Sequence, residues 1–242
     1  MEISIKKPSS LTEKGRREIN EDSIFPKEGQ GSIKDRLFVI CDGLGGQKYG
    51  EIASNLACEA LVDYLHFENE FIPERAIHFV EMRFSDYIDL SPEYDGMATT
   101  IVFLYLRKND AIIGWVGDSR AYHIRNGQIL FQTDDHSLVN ELIKQGKLTP
   151  EKARVDVRRN IVTRVIGNFK VPLVPDYKII NDIQSGDFFF LCSDGILENI
   201  DEDFIKTHFL KENNTSGIKS EIKKICHNNT QDNYSMHIIQ IE

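Results

Sequence analysis

The stretch Leu37-Phe38-Val39-Ile40-Cys41-Asp42-Gly43-Leu44-Gly45-Gly46 decides the reading of this chain. Its apolar run has no polar alternation, which suits a strand covered on both faces. The run ends directly in Asp42, and a glycine-rich turn follows. Two further apolar strands end the same way. The run at 187–192 (DFFFLC) passes into Ser193-Asp194-Gly195, and the run at 111–117 (AIIGWVG) passes into Asp118-Ser119. Asp232, in Gln231-Asp232-Asn233, immediately precedes the apolar run at 235–241, and Glu21-Asp22 follows the N-terminal segment.

If neighbouring strand ends bring these carboxylates together, they repel. Two unit charges about 4 Å apart cost roughly 4 kcal/mol at an effective dielectric near 20. Several such pairs require cations or protonation. Ligands that are all oxygen select magnesium, manganese or calcium over zinc or copper. A single Asp-Gly more often just starts a turn; the recurrence at strand ends is what points to a metal centre. A glycine after a ligand lets backbone groups approach an ion. The turn is not a phosphate-binding P-loop, because no Gly-Lys-Ser/Thr follows.

Outward from these strands the pattern is mixed. The run at 98–106 (ATTIVFLYL) predicts another buried strand, 121–125 (AYHIR) a return strand, and Asn126-Gly127 a hairpin turn leading to QILFQ. Between the first two long strands, apolar residues at Ile52, Ala53, Leu56, Ala57, Ala60, Leu61, Tyr64 and Leu65 form one helical face. A second helix is expected from Pro73 to Tyr87, with Pro73 in its first turn. Helices also fit 137–145, stopped by Gly146, and 216–226. Strands and helices are segregated, which predicts an α+β layered domain with sheets inside and helices outside.

The chain has 242 residues, enough for one sizeable core and short for two domains, with 40% hydrophobic and 28% charged residues. Its net charge is -9 and it has no long basic run, which argues against a nucleic-acid partner. No run is long and apolar enough to span a bilayer, and the N-terminus lacks an apolar signal core, so the expectation is a cytoplasmic protein with no membrane partner. Cys41, Cys58, Cys192 and Cys226 form no Cys-x-x-Cys pair, which disfavours zinc and structural disulfides.

Taken in order, the motifs resemble those of the metal-dependent protein phosphatases (type 2C). Arg17, four residues before Glu21-Asp22, resembles the first motif, and Asp42-Gly43-Leu44-Gly45-Gly46 the Asp-Gly-x-Gly-Gly turn. Ala98-Thr99-Thr100, Gly117-Asp118-Ser119-Arg120, Asp135-His136-Ser137, Thr163-Arg164-Val165-Ile166-Gly167, Ser193-Asp194-Gly195 and Asp232-Asn233 resemble the rest. Each is short; the ordered set is specific.

The resemblance implies a four-layer αββα sandwich, with two central, mainly antiparallel sheets flanked by helices. It implies one catalytic domain over 1–242, with a flap subdomain at approximately 137–172. It implies two Mn²⁺ or Mg²⁺ ions, with Asp42 bridging them, Asp194 and Asp232 completing one, and Glu21 and the Gly43 carbonyl serving the other. Asp118, with Asp194, resembles a ligand pair for a third, weaker ion. Asp22 and Asn233 are expected to support the ligands, and Arg17 to bind phosphate. The implied activity is hydrolysis of phosphoserine and phosphothreonine by metal-activated water, in a monomer that opposes a Ser/Thr protein kinase and shares its targets.

Two positions depart from the family pattern. Leu44 stands where many animal members have a proton-donating His and bacterial members an apolar residue. Glu198 stands where an Asp is common, which bears on the third ion. Ser119 and Ser193 are read as structural, Trp115 as core, and His136 as a hydrogen-bonding partner beside Asp135. Asp134-Asp135 are read as solvated loop acids. Two other readings stay open: a degenerate, non-catalytic phosphoprotein binder, and a hydrolase of small phosphoesters. The intact set Glu21, Asp42, Asp194 and Asp232 argues against the first, and the lack of a base-binding motif against a nucleotide substrate.

Overall fold

The computed structural model describes residues 2–44, 49–68, 70–153, 155–169 and 172–242. Gly45 and Gly46 of the glycine-rich turn lie outside the described residues, so their expected role beside Asp42 is not addressed by it.

Two five-stranded sheets form the centre. One is ordered β1 (Ser9–Glu13), β12 (Tyr234–Gln240), β11 (Phe188–Cys192), β7 (Arg120–Arg125), β8 (Gln128–Gln132). The other is ordered β10 (Asp176–Ile180), β6 (Ala111–Val116), β5 (Ile101–Leu106), β3 (Leu37–Asp42), β2 (Asp22–Phe25). Every strand pairing within them is antiparallel. Helices α1 (Gly50–Phe67) and α2 (Pro73–Leu90) cover the second sheet, and α5 (Asp194–Leu197), α6 (Glu202–His208) and α7 (Thr215–Cys226) cover the first. Two short helices, α3 (Leu138–Lys144) and α4 (Pro150–Ala153), lie between β8 and β9 (Ile166–Gly167).

Side-chain alternation explains why the central strands read as unbroken apolar runs. In β3, Leu37, Val39 and Cys41 join the core under α1 and α2, while Phe38 and Ile40 join the core between the sheets. In β11, Phe189 and Leu191 meet them there, while Phe188, Phe190 and Cys192 face Ile196, Ile205, Phe209, Ile218 and Ile222 on the helical side. Each strand therefore feeds two cores, and both of its faces must be apolar. Four layers give three cores, as the αββα expectation requires.

The expected strand at 98–106 is two strands. β4 (Ala98–Thr99) leaves the sheet to pair with β9, and Thr100 turns the backbone so that its N–H donates to the Asp42 carbonyl at 2.8 Å. Strands β1, β2 and β10 lack a long apolar run and were not anticipated. α1 begins under Gly43, and only glycines fit there: a Cβ on Gly43 would lie 2.2 Å from the Gly50 carbonyl oxygen. No helix among the described residues is long and apolar enough to cross a membrane.

Candidate active site

The antiparallel register brings the acidic strand ends to one edge of the sandwich. Asp22 opens β2 directly opposite Asp42 at the end of β3. Val116, at the end of β6, pairs with Ile101 next along the same sheet, and Gly117-Asp118 follows it. In the other sheet Cys192 ends β11 opposite Met236 and Arg120, so Ser193-Asp194 and the segment before Tyr234 leave that sheet at one place.

Serines lock the two sheets together there. The Ser193 hydroxyl donates to Asp22 Oδ2 at 2.9 Å and accepts the Ser235 N–H at 2.9 Å. Asn233 ties in the N-terminal segment: its amide donates to the carbonyls of Lys14 and Ile19 at 3.0 and 2.8 Å, and its Oδ1 accepts the Glu21 N–H at 2.8 Å. The Glu21 carbonyl in turn accepts the Gly43 N–H at 3.1 Å. Residues more than two hundred positions apart in the chain thus become neighbours. Thr99 and Thr100 hold the Asp42 backbone, Thr99 Oγ1 donating to its carbonyl at 2.9 Å and Thr100 Oγ1 accepting its N–H at 3.2 Å.

The electrostatics follow from crowding. Burial, then the charges of Asp22, Asp194, Asp118 and Asp232, push the Asp42 carboxyl well above the usual carboxylate range. Burial pushes Asp22 up to about 7 against the help of Ser235 and Ser193, and Asp118 up to about 7 with Asp194 and Asp135 adding to it. Asp194 is pushed up to about 6 by burial and Asp232. Glu21 is raised by burial and then by Glu51. Asp194 and Asp42 thus lie close enough to act on each other's ionisation, which two like charges tolerate only with a proton or a cation between them.

Arg17 stands on Asp232 rather than in open space. Its Nε and Nη2 donate to the two Asp232 oxygens at 3.0 and 2.8 Å, a bidentate pair whose partners are 54% and 31% exposed. The acids gather without closing: among the described residues no three stand as a ready metal-ligating set. The donor set nevertheless fits a hard divalent cation. It is entirely oxygen, its protons are held only by burial and mutual repulsion, and Asp22 Oδ1 is buried without a hydrogen-bond partner.

Of two expectations about nearby residues, one holds and one is corrected. His136 has the expected hydrogen-bonding role, with partners other than its neighbour Asp135. Its Nδ1 accepts the Gly117 N–H at 3.0 Å, which places the proton of the neutral ring on Nε2, 3.0 Å from Asp176 Oδ2. Asp135 is not a solvated loop acid; it takes a bidentate pair from Arg120 at 2.7 and 2.6 Å and its side chain is only 16% exposed. Nothing in the spacing of Arg120 and Asp135 signalled this pair. Trp115 is buried, with its indole N–H on the Asp134 carbonyl at 2.9 Å. Ser119 is buried against Thr100 at 3.0 Å.

Comparison with known proteins bears on what this edge does. The protein-family model described as Protein phosphatase 2C matches residues 14–235. The protein phosphatase PhpP of Streptococcus pneumoniae serotype 2 is 35% identical over 207 residues, covering 83% of this chain and 80% of that protein. The crystal structure of the serine/threonine phosphatase Stp1 from Staphylococcus aureus superposes with a TM-score of 0.85 at 32% identity, covering 100% of this chain and 98% of that one. The catalytic domain of the phosphatase PstP, solved in complex with two manganese ions, shares the fold at 23% identity and a TM-score of 0.79.

Proposed function

The chain belongs to the protein phosphatase 2C family, and from that premise we propose that it hydrolyses phosphoserine and phosphothreonine in proteins at the acidic edge of its sandwich. The observation that carries the reading is the convergence of Asp22, Asp42, Asp118, Asp194 and Asp232 on one edge, where the carboxyls of Asp22, Asp42, Asp118 and Asp194 are pushed upward by burial and by their acidic neighbours. Such a cluster is unfavourable without cations.

Two ions would be held by Asp42 in common, with Asp194 and Asp232 serving one and Glu21 and the Gly43 carbonyl the other, and Asp118 with Asp194 would hold a third, weaker one. The oxygen donors support Mn²⁺ or Mg²⁺. When bound, the ions supply Lewis acidity to the phosphoryl group and acidify water. Asp22 and Asn233 orient the donors, Asp22 through its free Oδ1 and Asn233 by stitching Glu21 beside Asp232. Arg17 shares its fork between Asp232 and the substrate's phosphoryl oxygens, matching charge that builds in the transition state. Ser193 is committed to Asp22, and the four cysteines are buried, so no protein nucleophile is assigned. Leu44 donates no proton, which leaves water to protonate the leaving alkoxide.

The relatives' names support phosphorylated proteins as substrates. The finer picture, a cytoplasmic monomer working against a Ser/Thr kinase and sharing its targets, is part of the proposal. So is one catalytic domain with a flap at approximately 137–172. The test is hydrolysis of a phosphothreonine peptide with Mn²⁺. Asp42→Ala and Asp194→Ala are expected to lower turnover by at least about a hundredfold, with a folded circular-dichroism spectrum retained. Wild-type rates in both variants would defeat the assignment. Turnover that survives chelation would defeat the metal chemistry.

A further inference from the structure

Glu198 is exposed, yet its carboxylate is turned towards the chain. It caps the C-terminal end of α5, one helical turn beyond Asp194. One oxygen accepts the backbone N–H of Gln231 at 2.8 Å, and the other accepts that of Asp232 at 3.3 Å. Next to it, Asn199 Nδ2 donates to Thr230 Oγ1 at 2.9 Å. At the other end of the same short helix, Gly195 packs so closely on the Asn233 carbonyl that a Cβ would lie 2.0 Å from its oxygen. The α5 turn therefore grips the segment 230–233 at both of its own ends, and Asp232 projects from the gripped backbone.

We propose that Glu198 is a positioning residue, fixing the Asp232 carboxylate through the backbone amides it accepts, and not itself a cation ligand. The inference rests on the reading of Asp232 as a metal ligand. The Gln231 bond, at 2.8 Å, is in the charge-assisted range, and together the two amides fix the direction in which the carboxylate points. Turning the carboxylate towards a cation would release both amides. The length of the side chain is the discriminating feature. Aspartate, one methylene shorter, cannot span from the end of α5 to these amides, whereas a ligand role would tolerate it.

Isothermal titration of Mn²⁺ into the full chain tests this, using Asp232→Ala, Glu198→Ala, Glu198→Asp and Glu198→Gln. Asp232→Ala is expected to lose Mn²⁺ affinity. Glu198→Ala and Glu198→Asp are each expected to weaken it about tenfold, the low end for an outer-shell support because Glu198 is exposed. Glu198→Gln keeps an acceptor for the Gln231 N–H and is expected to stay within about threefold of wild type. Amide exchange at Gln231 should quicken in the Ala and Asp variants and stay slow in the Gln variant, whereas Asp232, whose N–H meets the second oxygen, should quicken in all three. Wild-type affinity in Glu198→Asp, with Ala and Gln equally weakened, would overturn the proposal in favour of direct ligation or a charge effect. Unchanged affinity in Glu198→Ala beside a weakened Asp232→Ala would overturn it alone. Unchanged affinity in Asp232→Ala would remove the ligand reading beneath it.

Discussion

Asp22 is 7% exposed, accepts one serine hydroxyl and leaves Oδ1 without a partner. In the metal-free protein its carboxyl is held up to about 7, against an ordinary 3.8. Between those values the folded chain binds more protons than the unfolded one. The stabilisation from this group is therefore complete below about pH 3.8 and lost as pH rises through 7. His237 works the other way: burial holds it down to about 4 from 6.5, so it favours the folded state increasingly as pH rises across that window. Asp22→Asn removes the first effect and leaves the second. With chelator present, the unfolding midpoint of Asp22→Asn should gain on wild type from pH 4 to 7 and run parallel above; a constant difference would contradict the burial of this charge. Asp42, Asp118 and Asp194 were legible because each ends or directly follows an apolar strand, and Asp232 because it precedes one. The partners of Asp135 and His136 were not, since Arg120 and Asp176 reach them by sheet pairing and loop packing that spacing does not encode.

The strands legible as apolar runs, β3, β5, β6, β11 and β12, are buried along nearly their whole length, while β7 and β8 were legible from the Asn126-Gly127 turn between them. β1 (SSLTE) and β10 (DYKII) sit at sheet edges with few apolar residues in a row, so the hydrophobic pattern passes over them. The break at Thr100 was hidden for the opposite reason: the apolar run continues while the backbone changes partners. Helix α6 starts at a side-chain cap, Asp201 accepting the Phe204 N–H, but its seven residues are too few for a clear periodic stripe. The short α5 matters most for the site because it abuts the segment that carries Asp232. Gly195→Ala should push these two apart. We expect a loss of about 1–3 kcal/mol in urea unfolding, together with weaker Mn²⁺ binding. A variant as stable and as active as wild type would show that the close approach is not required.

The whole molecule uses its two sheets as a frame in which no one segment supplies the site. Strand alternation builds three cores, and the outer helices make those cores dry, so the acidic edge is held rigidly although its charges oppose one another. Between β8 and β10, by contrast, Val155, Val157, Ile161, Phe169 and Val174 are exposed. That contrast supports treating the region around 137–172 as a flap that touches substrate proteins rather than as part of the frame. Replacing it should change peptide preference more than turnover of a small aryl phosphate; equal losses on both would count against the idea. The central claim, that carboxylates from distant parts of the chain hold hard cations together, is tested most directly by anomalous diffraction at the manganese edge from crystals grown with Mn²⁺. The account predicts two strong peaks within coordination distance of Asp42, one of them shared with Asp194 and Asp232. Peaks elsewhere, or none at this edge in millimolar Mn²⁺, would contradict it.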